Sequence, residues 1–191
     1  DGEFELHEGL NMFRADPYLI KARVDEVDSV GHVRVLRQWP NEIWILAENR
    51  TPIALWRSEG EWGVIDQLGV VMASESIQDH NALLRIEGES GNIAAPQLLA
   101  QFENYPEIGD RVVASVRVGA RRWDLQLKSG IEISMPEDAL FEQAANAIME
   151  LHAGTGVLDG DATRLDARDP ERFAVGVKSD LADADSPVKG A

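Results

Sequence analysis

Residues 111–135 read RVVASVRVGARRWDLQLKSGIEISM. Apolar and polar side chains alternate over Arg111–Val118, again over Trp123–Lys128, and a third time over Ile131–Met135. A period of two is the signature of a strand with one buried face. Gly119-Ala120 and Ser129-Gly130 interrupt the alternation with turn residues two at a time. Gaps that short join antiparallel neighbours. The stretch is therefore expected to form a three-stranded antiparallel meander, and the rest of the fold is organised around it.

Downstream, Pro136 ends the alternation and the period lengthens. Leu140, Phe141, Ala144, Ile148 and Leu151 recur at helical spacing, predicting a helix over Glu137–His152. Thr163–Arg168 and Arg172–Val177 read as two closing strands, and the small polar residues of Lys178–Ala191 as a disordered tail. Upstream, a helix is expected over Ala95–Tyr105, with Pro96 in its first turn and Leu98, Leu99 and Phe102 buried. Ile53–Trp56 is extended. Gly60–Gly63 is read as a turn, followed by short strands at Val64–Asp66 and Val70–Met72. Asp16-Pro17 carries a helix-start signature, and Leu19, Ile20, Val24 and Val27 follow on one face. His32–Gln38 and Ile43–Glu48 then alternate around Trp39-Pro40-Asn41, giving a helix followed by a β-hairpin.

The 191 residues carry 34 acidic and 18 basic side chains, a formal net charge of -16. Nucleic-acid binding needs clustered Lys and Arg to displace phosphate counterions, and no such cluster is present. The absence of cysteine excludes disulfides, thiolate metal sites and cysteine nucleophiles. No apolar run approaches the roughly 20 residues that span a bilayer. The chain opens on Asp1-Gly2-Glu3 without an initiator Met, which reads as a processed or trimmed product and is compatible with a missing membrane anchor.

Catalytic and metal-binding arrangements find no support in the residue pattern. His7, His32, His80 and His152 are scattered and show no two-imidazole helical spacing. Gly88-Glu89-Ser90-Gly91 lacks the Gly-Lys-Ser/Thr of a phosphate loop and places a carboxylate where phosphate would sit. No Gly-x-Ser-x-Gly elbow occurs. Acidic pairs such as Asp161 with Asp166, or Glu137 with Asp138, arise by chance in so acidic a chain, and Asp138 is expected to favour a helix N-terminus. Trp39, Trp44, Trp56, Trp62 and Trp123 are expected in the core rather than on a carbohydrate platform. No cofactor, metal or catalytic residue is expected.

Five segments in series resemble the periplasmic region of the FtsQ/DivIB family of bacterial cell-division proteins. They are Val33–Asn41 with Ile43-Trp44-Ile45; Glu48–Trp56; Leu84–Gly88, with Arg85 where that family has Pro; Arg121–Gly130; and Leu165–Arg168 with Phe173-Ala174-Val175. Asp169-Pro170-Glu171-Arg172 has an alphaproteobacterial character. The resemblance implies an α+β fold. Residues 1–50 would be a partial POTRA domain, a helix plus β-hairpin lacking that domain's opening strand and helix. Residues 51–177 would be a larger domain with an antiparallel sheet flanked by helices. It also implies a non-enzymatic scaffold at the septum, on the periplasmic side of the inner membrane. The periplasmic segments of FtsB and FtsL would bind at a C-terminal edge strand, through Arg168, Asp169, Glu171, Arg172, Phe173, Ala174 and Val175. Other division proteins would be engaged through the POTRA part. A cell-wall enzyme and a POTRA-type chaperone module are the rival expectations; the first needs a convergent nucleophile or metal constellation, the second several POTRA copies.

Overall fold

The computed structural model describes residues 16–27, 30–40 and 42–177, so the expected tail at 178–191 lies outside the described residues. The chain divides into two compact units that part mainly between Thr51 and Pro52, with the short segment Met72–Ser74 grouped with the first.

The first unit holds helix α1 (Pro17–Asp25) and the antiparallel strands β1 (Val30–Gln38) and β2 (Glu42–Asn49). Asp16 caps α1 by accepting the Tyr18 N–H at 2.9 Å, and Pro17 occupies the first turn, where its missing N–H costs nothing. Ile20 and Val33 are buried, but Leu19 and Val27 are exposed. Two strands are too narrow to cover more than the middle of the helix. Trp39 and Trp44 are exposed as well, which corrects the expectation that they fill the core. Trp44 lies opposite Leu36 in the ladder, on the face away from Val33, because alternation sends it to the other side from Ile43 and Ile45.

The second unit is a nine-stranded sheet with helices. Its elements are β3 (Pro52–Ser58), β4 (Glu61–Asp66), β5 (Val71–Met72), β6 (Leu84–Glu87), α2 (Gly91–Asn104), α3 (Pro106–Gly109), β7 (Val112–Val118), β8 (Arg122–Leu127), β9 (Glu132–Glu137), α4 (Phe141–Thr155), β10 (Ala162–Asp166) and β11 (Ala174–Val177). The strand order is β11-β10-β9-β8-β7-β6-β3-β4-β5. The class is α+β, as expected, and β7-β8-β9 form the meander read from residues 111–135. The sheet as a whole is mixed rather than antiparallel: β6 runs parallel to both β3 and β7, and β10 runs parallel to β9. The cause is connectivity. Helix α2 lies between β6 and β7, and α4 between β9 and β10, and a helical crossover returns the chain in its original direction.

Local differences from the sequence reading have local causes. Helix α2 starts at Gly91, so Pro96 sits inside it and forfeits the bond to the Asn92 carbonyl. Asn92 instead ties α2 to the β4–β5 loop, donating from Nδ2 to the Gly69 carbonyl at 2.8 Å. The turn after β3 is only Glu59-Gly60, with φ of 50° and 94°, and Trp62 and Gly63 belong to β4. Helix α4 begins after a 3-10 turn over Asp138–Leu140, which leaves Leu140 exposed. Asp138 serves there as an ion-pair partner. Arg117, its side chain 6% exposed, donates to both Asp138 oxygens at 2.6 and 2.5 Å and to the Ala120 carbonyl at 3.0 Å. Its guanidinium stacks 4.8 Å from the Trp123 ring centroid. The core lies on this side of the sheet, where Leu98 and Phe102 of α2 and Phe141, Ala144 and Ile148 of α4 join Ile86, Trp123, Leu125, Ile133 and Met135. Burial of such side chains is the dominant stabilising term, about 1.5–3 kcal/mol each.

Candidate functional site

Among the described residues, strand β11 is the outermost strand at one end of the sheet and pairs with β10 alone. Its register sets Ala174 opposite Asp166, Val175 opposite Leu165 and Gly176 opposite Arg164. The Ala167 N–H reaches the Ser134 carbonyl of β9 at 2.9 Å. Backbone groups alternate in direction along a strand, so Leu165 also faces β9, while Arg164 and Asp166 face β11. Gly176 and Ala174 therefore bond inward. Val175 and Val177 turn their N–H and C=O groups to the open edge. Both valines are also partly exposed as side chains, at 41% and 37%.

The structure divides the residues read from the sequence between a loop and a strand. Arg168, Asp169, Glu171, Arg172 and Phe173 lie in the connection between β10 and β11, and only Ala174 and Val175 stand in β11. The strand thus begins two residues later than the expected Arg172 start. Phe173 packs against the core, whereas Val175 does not bury. The connection holds a local turn in which Asp169 accepts the Glu171 N–H at its side chain (3.1 Å) and the Arg172 N–H at its carbonyl (3.0 Å).

Arg168 is held in place by a residue that the sequence reading passed over in this role. Its Nε donates to Asp166 Oδ1 and Oδ2 at 2.9 and 3.1 Å, and its Nη2 donates to Oδ2 at 2.5 Å. This hydrogen bonding, opposed by partial burial, holds the Asp166 carboxyl below the usual carboxylate range. The same contact raises the Arg168 guanidinium. The signal in the sequence is the Asp-x-Arg spacing at the end of a strand, where alternation puts both side chains on one face. Asp166, Arg168, Asp169, Arg172 and Ala174 border a shallow groove of about 380 Å³ beside the open edge. The site thus offers free backbone donors and acceptors, two apolar side chains, and a rim bearing charges of both signs.

Among the described residues no group of three or more His, Asp or Glu is placed to hold a metal ion, and no helix is long and apolar enough to cross a membrane.

Residues 54–168 match the model of the C-terminal domain of cell division protein FtsQ/DivIB. A protein of Hirschia baltica named cell division protein FtsQ is 54% identical over 170 residues, covering 87% of this chain and 58% of that protein. One of the same name from Rickettsia prowazekii is 31% identical over 180 residues, covering 91% of this chain and 66% of its own length. One from Caulobacter vibrioides strain NA1000 is 34% identical over 157 residues, covering 82% and 51% respectively. The chain thus spans about half to two thirds of the length of these relatives. It belongs to the FtsQ/DivIB family of cell-division proteins.

Proposed function

We propose that the chain is a non-enzymatic scaffold of the bacterial division machinery, working without a cofactor. It acts on the periplasmic side of the inner membrane at the septum, and its full-length form is anchored by a single membrane helix. In this reading the periplasmic segments of FtsB and FtsL engage β11 and the connection before it, from Arg168 to Val175. Residues 1–50 act as a partial POTRA domain that engages other division proteins. The observation that carries the proposal is the terminal position of β11 among the described strands, with the Val175 backbone turned away from β10. A partner strand added there gains main-chain hydrogen bonds worth about 1 kcal/mol each net, so several must form together.

The test is proline placed at alternate positions. At Val175 proline removes an outward N–H and leaves the β10–β11 ladder intact. At Ala174 it removes an inward one. Val175→Pro is expected to weaken binding of an FtsB periplasmic peptide at least about tenfold while the melting temperature stays near that of the parent. Ala174→Pro is expected to lower the melting temperature as well. Normal FtsB binding by a folded Val175→Pro variant would refute strand addition at this edge.

A further inference from the structure

Helix α4 closes on a histidine that takes no part in the β11 site. His152 sits in the last turn, its side chain 14% exposed. Two backbone groups of the connection to β10 bond to this one residue. The Gly156 N–H donates to the His152 carbonyl at 2.7 Å, and the Leu158 N–H donates to His152 Nδ1 at 3.3 Å. An imidazole nitrogen accepts only when it carries no proton, so this contact selects the neutral ring with its proton on Nε2. Leu158 is fully buried, and Val157, Ala162 and Leu165 join it in the core. Residues 156–161 therefore form a packed strap. The strap delivers β10, whose ladder with β9 is only three residue pairs long.

The charges around the ring do little to offset that selection. Nε2 lies 3.7 Å from Asp159 Oδ2. Arg111, just before β7, already claims both Asp159 oxygens, its Nε and Nη2 donating at 3.1 and 3.0 Å. That bonding is the main reason the Asp159 carboxyl lies below the usual carboxylate range. Glu107 of α3 and Asp110 at its end act on the Arg111 guanidinium. Glu150, two residues before His152 on α4, projects to another side of the helix. A proton added to the ring goes to Nδ1 and turns the acceptor into a donor that faces the Leu158 N–H. Attraction to Asp159 compensates weakly, because that carboxylate is exposed and neutralised by Arg111.

We propose that His152 is a pH-sensitive latch on the β10–β11 end of the sheet. Neutral, it fixes the strap through Leu158; protonated, it releases the strap and loosens the two strands that follow. The neutral form makes the bond, so the stabilisation is complete above the imidazole range and is lost as pH falls through it, from about pH 8 to about pH 5. The latch needs no partner at β11 to operate.

Amide hydrogen exchange of the whole chain, read by NMR and corrected for the intrinsic rate at each pH, tests this from about pH 7.5 to about pH 5.5, where imidazoles change charge. The Leu158 protection factor is expected to fall about tenfold on acidification, the effect of losing one hydrogen bond. Amides across β10 and β11 should fall about threefold or more, while those of β8 hold. His152→Gln keeps a side-chain acceptor that does not titrate and should make protection constant across the range. His80→Gln alters the other described imidazole of this unit and should leave the parent's response intact. A Leu158 factor that stays constant or rises on acidification would overturn the latch, as would the parent's response persisting in a folded His152→Gln variant. A response abolished by His80→Gln, a fall shared equally by β8, or a loss confined to Leu158 with β10 and β11 unmoved would each overturn it too.

Discussion

Asp138→Asn tests how far the second unit depends on Arg117. The substitution keeps the side-chain size and removes the negative charge. Arg117 then remains beneath the surface without its counter-charge, with the Ala120 carbonyl, one amide oxygen in place of two carboxylate oxygens, and the Trp123 face. Breaking a fully buried ion pair costs about 3–5 kcal/mol, and breaking an exposed one about 0.2–1. Arg117 is 6% exposed and Asp138 34%, so the loss should fall between these, at about 2–3 kcal/mol. For a unit of this size that is about 8–12 °C in melting temperature. The control is Arg121→Ala, which breaks a pair whose members are 66% and 61% exposed; it should move the midpoint by less than about 2 °C. A further variant, Arg117→Leu with Asp138→Asn, removes the stranded charge and should recover part of the loss. Calorimetric melts at neutral pH measure all three. An Asp138→Asn melt within about 2 °C of the parent would show that the guanidinium is not committed to this partner, and the reasoning would fail.

Gly88→Ala should be severely destabilising, because φ there is 101° and a Cβ would meet the Arg117 carbonyl at 2.3 Å; a loss of less than about 1 kcal/mol in urea unfolding would contradict that geometry. Asp166 has its pKa depressed in the folded state, so the stability it contributes is fully present above the ordinary carboxylate value of about 3.9 and is lost as pH falls through the lower folded value. Arg168→Ala should therefore flatten the loss of stability on acidification from pH 6 to about pH 3, and an unchanged acid profile would count against the pair. Hydrogen exchange should be faster across β1 and β2 than across β8 and β9, since β2 has no buried residue and β8 has three; equal protection would show that the first unit is better supported than its burial suggests. Acrylamide should quench Trp39 and Trp44 readily and Trp123 poorly, and uniform quenching would contradict their exposures of 58%, 53% and 2%.

The meander was legible because alternation and two-residue gaps are both local signals. Asp16-Pro17 and the Phe141–Ile148 stripe were legible for the same reason. Parallel pairing was not: Leu84–Glu87 looks like any short strand, and only its position between β3 and β7 makes it parallel to both. Pro96 misled because a proline's usual place in a first turn outweighed Ser90-Gly91, where the helix begins. Trp44 misled because alternation says that it faces away from Ile43 without saying which face is covered. At the candidate site, composition and period gave two closing strands. That the last is an edge depends on sheet order, which no local pattern encodes, so the residue set came through family resemblance. The role of Asp166 was not legible because it was paired in sequence with Asp161, and Arg168, two residues on, reads as something offered to a second protein rather than as a partner of Asp166.

β11 follows every other strand of the sheet in chain order and docks on β10, itself held to β9 by a short parallel ladder. That edge therefore cannot exist on a nascent chain. The meander can collapse onto α2 and α4 while residues 162–177 are still emerging. A chain stopped short of Ala174 would end its sheet at β10 or β9 instead, with another side-chain pattern facing out. If a partner pairs with β11 as proposed, its engagement inspects the described sheet as a whole: it certifies that synthesis ran through β11 and that the sheet closed behind it.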